Sequence, residues 1–274
     1  MQTDVKIAFI GGGNMAQALI GGLADKLTAA ANIHVIDINE VALASLRDKF
    51  GVTTATAAGD AVAAADVIVL AVKPQQMREV VATLKPLVGK QLVLSIAAGI
   101  RAADLSRWLN GHTAIVRTMP NTPALVGKGI TGAVAMGGVS ESQKQLADAI
   151  LRAVGDTVWL DDEGKIDAVT ALSGSGPAYV FYFIEAMQAA AVELGLTEAQ
   201  GRALAQATFA GASELAIRSD EPVSLLRERV TSKGGTTYAA LMAMEASGVK
   251  GAIVSALHAA AARGKELGDE FGKD

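Results

Sequence analysis

The sequence contains no cysteine, which excludes disulfides, thiolate nucleophiles and cysteine-ligated zinc. Histidine is almost as scarce. His34, His112 and His258 are scattered, with no metal-ligand spacing among them. Positive charge is not in excess: 24 Lys and Arg against 28 Asp and Glu leave a net charge of −4. That balance argues against a nucleic-acid footprint and against a polybasic membrane patch. Glycine and proline, 29 and 6 residues, fall well short of the roughly 25–30% that marks low-complexity disorder. No long apolar run is uninterrupted. The stretch 7–24 contains Gly11, Gly12, Gly13, Asn14 and Gln17 and follows Asp4, which fits neither an export signal nor a span of about 20 apolar residues. A second apolar stretch, 179–184, ends at Glu185. The expectation is a cytoplasmic protein, in a reducing compartment, that works without a metal, a nucleic acid or a membrane.

What is present suits an ordinary globular chain. Its 274 residues suggest two domains at roughly 150 residues each. Hydrophobic residues are 51% of the total, enough to bury a sizeable core. The first half alternates short apolar runs with helical patterns. Strands are expected at 5–10, 33–37, 66–72, 92–97 and 114–118, then at 130–136 and 157–160. Helices are expected at 15–24, 40–50 and 142–154. Repeated βα units of this kind predict a doubly wound parallel sheet, the Rossmann architecture. After Gly164 the pattern is helical throughout, at 178–194, 198–218, 223–230, 237–246 and 250–267. The fold class expected is therefore α/β, with a Rossmann domain over 1–163 and an all-helical domain over 164–274. The helix 198–218 carries apolar residues on most of its sides. A helix of that kind is buried nearly all round, so a second subunit is expected to cover it.

The first strand runs into Gly11-Gly12-Gly13-Asn14-Met15-Ala16, a G-x-G-x-x-A turn that opens a helix. Gly11 permits the tight turn, Gly13 lets backbone approach a pyrophosphate, and Ala16 lets the helix pack close. The bare N–H groups of that helix favour an anion. Asp37 closes the second strand, where a carboxylate accepts from ribose hydroxyls. Its charge leans the choice toward NADH over NADPH. Ligands of open α/β sheets bind outside the carboxyl ends of the strands. That adds Val72, Lys73 and Pro74, then Ala97, then Met119 and Asn121, to the candidate cofactor residues. In the second half, 230–237 sets hydroxyls and glycines at a helix entrance, where amides, Ser232 and Thr236 can hold a carboxylate.

Other constellations are weaker. Asp161-Asp162-Glu163 reads as a solvated loop. Ser173 and Ser175 do not complete G-x-S-x-G, and Ser175 is expected to cap the helix that starts near Pro177. Met187, Met242 and Met244 read as core filling, and Tyr179, Phe181, Tyr182 and Phe183 as packing.

Taken together, Phe9 through Ala16, Ala71-Val72-Lys73-Pro74-Gln75, Met119-Pro120-Asn121-Thr122-Pro123-Ala124, Ser173 through Tyr179, and Thr231-Ser232-Lys233-Gly234-Gly235-Thr236-Thr237 closely resemble the Δ1-pyrroline-5-carboxylate reductase family. The resemblance runs end to end. One departure is Lys233, where members commonly have Pro or another small residue. The resemblance implies an N-terminal Rossmann domain and a C-terminal helical domain that pairs with a partner, giving a homodimer or a larger assembly of dimers. It implies reduction of the cyclic imine L-1-pyrroline-5-carboxylate to L-proline, the last step of proline biosynthesis, with NADPH or NADH. In that scheme Thr237 hydrogen-bonds the ring nitrogen, and Ser232 with the Gly234 and Gly235 backbone holds the carboxylate. Two alternatives remain beside it. A β-hydroxyacid dehydrogenase is expected to carry a Lys on the interdomain helix, yet 177–200 contains none. A non-enzymatic NAD(P) sensor would leave the 231–237 anion site without a purpose.

Overall fold

The computed structural model describes residues 3–273. In chain order the first elements are β1 (Ile7–Ile10), α1 (Asn14–Leu23), β2 (Ile33–Ile36), α2 (Glu40–Phe50), β3 (Thr53–Ala55), α3 (Asp60–Ala63), β4 (Val67–Leu70), α4 (Pro74–Leu84), β5 (Leu92–Ser95), α5 (Ala102–Trp108) and β6 (Ile115–Met119). Then come β7 (Gly129–Ala135), α6 (Glu141–Arg152), β8 (Gly155–Trp159), α7 (Ile166–Val169) and a π-helical turn at Thr170–Gly174. Five helices complete the chain: α8 (Gly176–Glu193), α9 (Glu198–Arg218), α10 (Val223–Arg229), α11 (Thr236–Ala246) and α12 (Val249–Phe271).

The sheet order is β3-β2-β1-β4-β5-β6-β7-β8. The first six strands are parallel. They repeat the doubly wound order, in which the chain reverses direction between β1 and β4. The expected parallel sheet is corrected at one edge. β7 runs antiparallel to β6, and β8 pairs parallel with β7 through α6. Periodicity fixes which residues face which side of a strand and leaves its direction open.

Helices cover both faces because the strands are apolar on both. Ile7, Phe9, Val67, Val69, Leu92 and Leu94 pack beneath α1, α2 and α6. Ala8, Ile10, Ile68, Leu70 and Val93 pack beneath α3, α4 and α5. α1 buries Ala16, Leu19, Ile20 and Leu23, the spacing of one helical stripe. At the start of α2, the Asn39 side chain accepts from the Val41 and Ala42 amides. Ser140 and Gln143 form a reciprocal capping box on α6.

The chain forms two compact units. The described residues up to Ser175 join those from Ala260 onward, and Gly176–Ala259 make the other. Residues 164–175 and 260–273, expected in the helical domain, therefore pack with the sheet. Specific bonds explain this. Arg117, with a side chain only 5% exposed, pairs with Glu163 at 2.8 Å, and Glu163 also accepts from the Ala102 amide at 2.7 Å. At the other end of the chain Arg101 holds Asp269, and Phe271 lies against Gly99. Glu163 is thus a buried anchor's partner rather than part of a solvated run.

Candidate dinucleotide and carboxylate sites

The glycine turn stands at the carboxyl edge of the sheet, between β1 and β4. Gly11 has φ +104, and a Cβ there would lie 2.7 Å from the Ala71 carbonyl oxygen. Only glycine lets the chain pass the end of β4 this closely in this conformation. Gly12 fits tightly as well, since a Cβ would meet Leu46 at 2.9 Å. Gly13 differs from both: it caps α1 in extended conformation, and a Cβ would meet nothing within 4 Å. The space in front of the helix is therefore open. No side chain caps α1, and helix geometry leaves the amides of Asn14, Met15 and Ala16 without intrahelical partners. Bare amides, a helix dipole and open space fit the pyrophosphate of a dinucleotide.

Asp37 follows β2. Its Oδ2 accepts from the Gly12 amide at 2.8 Å and its Oδ1 from the Asn39 amide at 2.9 Å. The carboxylate is thereby pinned to the glycine turn, and each oxygen keeps a further lone pair for a hydroxyl donor.

The remaining strand ends are less alike. Lys73 is exposed and precedes Pro74, which is the first residue of α4 rather than only the end of a strand. Val72 is half-buried and Ala97 is buried. Met119 packs on Gly174. Asn121 is a structural brace: its amide nitrogen donates to the Ser173 carbonyl at 3.2 Å and its oxygen accepts from the Ile130 amide at 3.0 Å. Each end of that side chain is tied by one bond within the protein, so its orientation is set by bracing. Ser175 does not cap α8 as expected. Its amide donates to the Thr170 carbonyl within the π-helical turn, and no side-chain bond from Ser175 is present among the described residues.

In the helical unit, Gly234 turns the chain with φ +76, and Gly235 caps α11 without a side-chain bond. The Gly235 amide, expected to face a carboxylate, donates instead to the Ser232 carbonyl at 2.9 Å. The open donors lie one step on. Thr236, Thr237 and Tyr238 form the first turn of α11, where amides lack intrahelical partners. The hydroxyls of Ser232, Thr236 and Thr237 have no hydrogen-bond partner among the described residues, and all three residues are exposed. Hydroxyls and amides meeting at a helix N-terminus make a site for a small carboxylate. The structure thus gathers Gly11 to Ala16 with Asp37 at one edge of the sheet, and Ser232 to Thr237 at one helix entrance.

The fold and the fingerprint define a Rossmann-type dinucleotide-binding architecture joined to an all-helical segment. Comparison with known proteins narrows this. Residues 6–99 match the family model described as NADP oxidoreductase, coenzyme F420-dependent, and residues 163–267 match that described as pyrroline-5-carboxylate reductase dimerisation. A pyrroline-5-carboxylate reductase of Pseudomonas aeruginosa is 45% identical, with 98% of each chain covered. The structure of a pyrroline-5-carboxylate reductase from Coxiella burnetii superimposes with a TM-score of 0.90 at 41% identity, covering 97% of this chain and 99% of that one. A Plasmodium falciparum pyrroline carboxylate reductase with NADP bound gives 0.88 at 29% identity, covering 98% and 100%. The chain belongs to the pyrroline-5-carboxylate reductase family.

Proposed function

We propose that this chain reduces L-1-pyrroline-5-carboxylate to L-proline, the closing step of proline biosynthesis, in the cytoplasm. A bound NADPH or NADH supplies the hydride. The observation that carries the reading is the α11 entrance, where three free hydroxyls and a turn of open amides stand on a chain that also has an uncapped glycine fingerprint. Membership of the family supports it.

Each residue has a physical task. Gly11 and Gly13 shape the turn, and the Asn14, Met15 and Ala16 amides receive the pyrophosphate. Asp37 accepts from ribose hydroxyls. Val72, Lys73, Pro74, Ala97, Met119 and the Asn121 backbone line the rest of the strand ends. Ser232, the Gly234 amide and the first-turn amides of Thr236 and Thr237 grip the substrate carboxylate, and Gly235 sets the turn. Each such bond to a charged group contributes about 1.5–3 kcal/mol. The Thr237 hydroxyl oxygen accepts from the protonated ring nitrogen and so orients the imine carbon. A neutral hydroxyl is a poor acid, so the imine arrives already protonated from solvent, and a protonated imine is electrophilic without further help. Orientation is then the protein's main contribution. The helical unit pairs with that of a second copy, giving a dimer or an assembly of dimers.

The test is oxidation of NADH or NADPH by purified protein in the presence of pyrroline-5-carboxylate, beside a 3-hydroxy acid with the oxidised cofactors. Turnover of the imine alone is expected. No turnover of it with either cofactor overturns the reading, and turnover of the hydroxy acid would favour the dehydrogenase alternative. Thr237→Ala is expected to lower turnover about tenfold or more while cofactor binding stays near that of the parent.

A further inference from the structure

We infer that the last turns of α12 are a positioning element for the reaction: Leu267 and Phe271 fix the turn after β5, on which the nicotinamide end of the dinucleotide rests. The inference rests on the reading that a nicotinamide dinucleotide binds at the strand ends. It deepens that reading by naming residues that act without touching the cofactor.

The sheet sets the direction of the cofactor. Its pyrophosphate belongs at the α1 N-terminus between β1 and β4, and its adenosine ribose at Asp37 beyond β2. The nicotinamide half therefore runs the other way, over the ends of β4 and β5. After β5 the chain passes through Ala97 and Ala98, turns at Gly99 with φ +72, and enters α5 at Ala102. This turn has little holding it locally. The Ala97 amide reaches the Ser95 hydroxyl only at 3.4 Å. The amides of 98–101 donate no hydrogen bond among the described residues.

What closes the turn comes from far along the chain. A Cβ on Gly99 would lie 3.1 Å from the Phe271 ring and 3.3 Å from Leu267, so both residues sit directly on it. Arg101 lies across α12: it bonds Asp269 at 2.5 Å, and a Cβ on Gly268 would come within 3.2 Å of its guanidinium. At Gly272 a Cβ would lie 2.7 Å from Asp104, and Arg107 donates to the Gly272 carbonyl at 2.8 Å. Gly268 and Gly272 share one helix face with Leu267 and Phe271. Side chains at those two positions would push the helix off the turn. From elsewhere in the fold, Glu163 accepts from the Ala102 amide at 2.7 Å and is itself held by Arg117.

Hydride transfer is steep in distance, and a misplacement of about 1 Å can cost about a hundredfold in rate. The glycine turn is fixed separately, by the Ala71 carbonyl and by Asp37. Loosening the turn after β5 should therefore disturb the reacting end of the cofactor while its pyrophosphate stays gripped.

The experiment compares the full-length parent with Phe271→Ala and with the conservative Phe271→Leu. In cofactor-free protein, hydrogen exchange over 97–103 is expected to quicken about tenfold in Phe271→Ala, with 11–16 unchanged. NADPH should bind within about threefold of the parent, with lower fluorescence anisotropy of the bound nicotinamide. Turnover of the imine should fall about tenfold at nearly constant KM, with a larger primary isotope effect from 4-deuterated NADPH. Phe271→Leu should recover most of the loss. Unchanged exchange over 97–103 overturns the proposal, as does an unchanged isotope effect or a rate loss matched by lost NADPH binding. Should Phe271→Ala fail to fold, Leu267→Ala removes the neighbouring contact and is read in the same way. A parent that does not turn over the imine overturns the proposed function instead, and the exchange measurement still judges the bracing, so the two failures are distinguishable.

Discussion

The sheet unit and the helical unit are built from equally apolar sequence and end in opposite states. In the sheet unit both faces of the strands are closed by helices, and residues such as Phe9, Leu19, Ile68 and Leu94 are inaccessible. In the helical unit only Gly201 and Ala205 are buried. Phe181, Tyr182, Leu204, Leu215 and Ile217 all stand exposed, and so do Met187, Met242 and Met244, which the sequence reading took for core. Apolar surface on that scale marks an interaction site. The lesson is that one unit carries its own core while the other leaves its apolar faces open. The family model matching 163–267 is a dimerisation model, which agrees with that division.

The largest expected effect tests the contrast directly. Phe9→Ala removes a fully buried ring and should lower stability by about 3–5 kcal/mol. Phe181 is 60% exposed on this chain. If nothing covers it, Phe181→Ala should stay within about 0.5 kcal/mol. If a second copy covers it, the loss should be several times that. Chemical denaturation of the two variants separates these outcomes, and equal small losses would erase the proposed pairing.

Dilution should come next in size. Both tryptophans, Trp108 and Trp159, lie in the sheet unit, and all three tyrosines, Tyr179, Tyr182 and Tyr238, lie in the helical unit. The two units therefore have separate optical reporters. A hundredfold dilution should lower the stability read by tyrosine absorbance by about 2.7 kcal/mol per dimer. A tyrosine transition independent of concentration would mean that the helical unit stands alone.

Glycines sharpen the comparison at smaller scale. Gly11 and Gly234 both hold positive φ, but Gly11 is walled by Ala71 while Gly234 faces open space. Gly11→Ala should cost about 2 kcal/mol or more, from strain and overlap together, and should abolish dinucleotide binding. Gly234→Ala should cost about 1 kcal/mol from strain alone. Denaturation midpoints beside cofactor titrations check both.

Much of this was legible in the sequence because local signals agree there. The apolar runs at 66–72 and 92–97 are short and rich in Val, Ile and Leu, as interior strands are, and the Gly11–Ala16 turn sat between a strand and a helix. β3 was missed because Thr53, Thr54 and Ala55 form a short, polar edge strand with no hydrophobic run. α4 was missed because Pro74 reads as the end of a strand. Its signal was the i, i+3 or i+4 spacing of Met77, Val81 and Leu84. α5 follows the same logic through Ala102, Leu105 and Trp108. The return of 260–273 to the sheet was not legible at all. α12 is one continuous helical pattern, and what separates its last turns is a set of partners distant in sequence, such as Arg101 for Asp269. The Gly235 amide bond to Ser232 was hidden for a related reason, since turn geometry is not written in residue type alone.

That returning segment supplies the smallest expected effect. Asp269 accepts from Arg101 at 2.5 Å, and this hydrogen bond holds its carboxyl below the ordinary carboxylate value. A folded-state value below the unfolded one binds fewer protons when folded, so its stabilising contribution is fully present above the unfolded value. It is lost as pH falls through the folded value. Asp269 is 57% exposed, so solvent and salt screen the pair and the effect is slight. The expected outcome is that Asp269→Asn flattens the acid limb of the stability profile read by tryptophan fluorescence. The limb read by tyrosine should not change, because none of the three tyrosines belongs to the unit that Asp269 fastens. A variant that altered both limbs alike would show that the two units unfold as one, and the separation drawn between them would have to be given up.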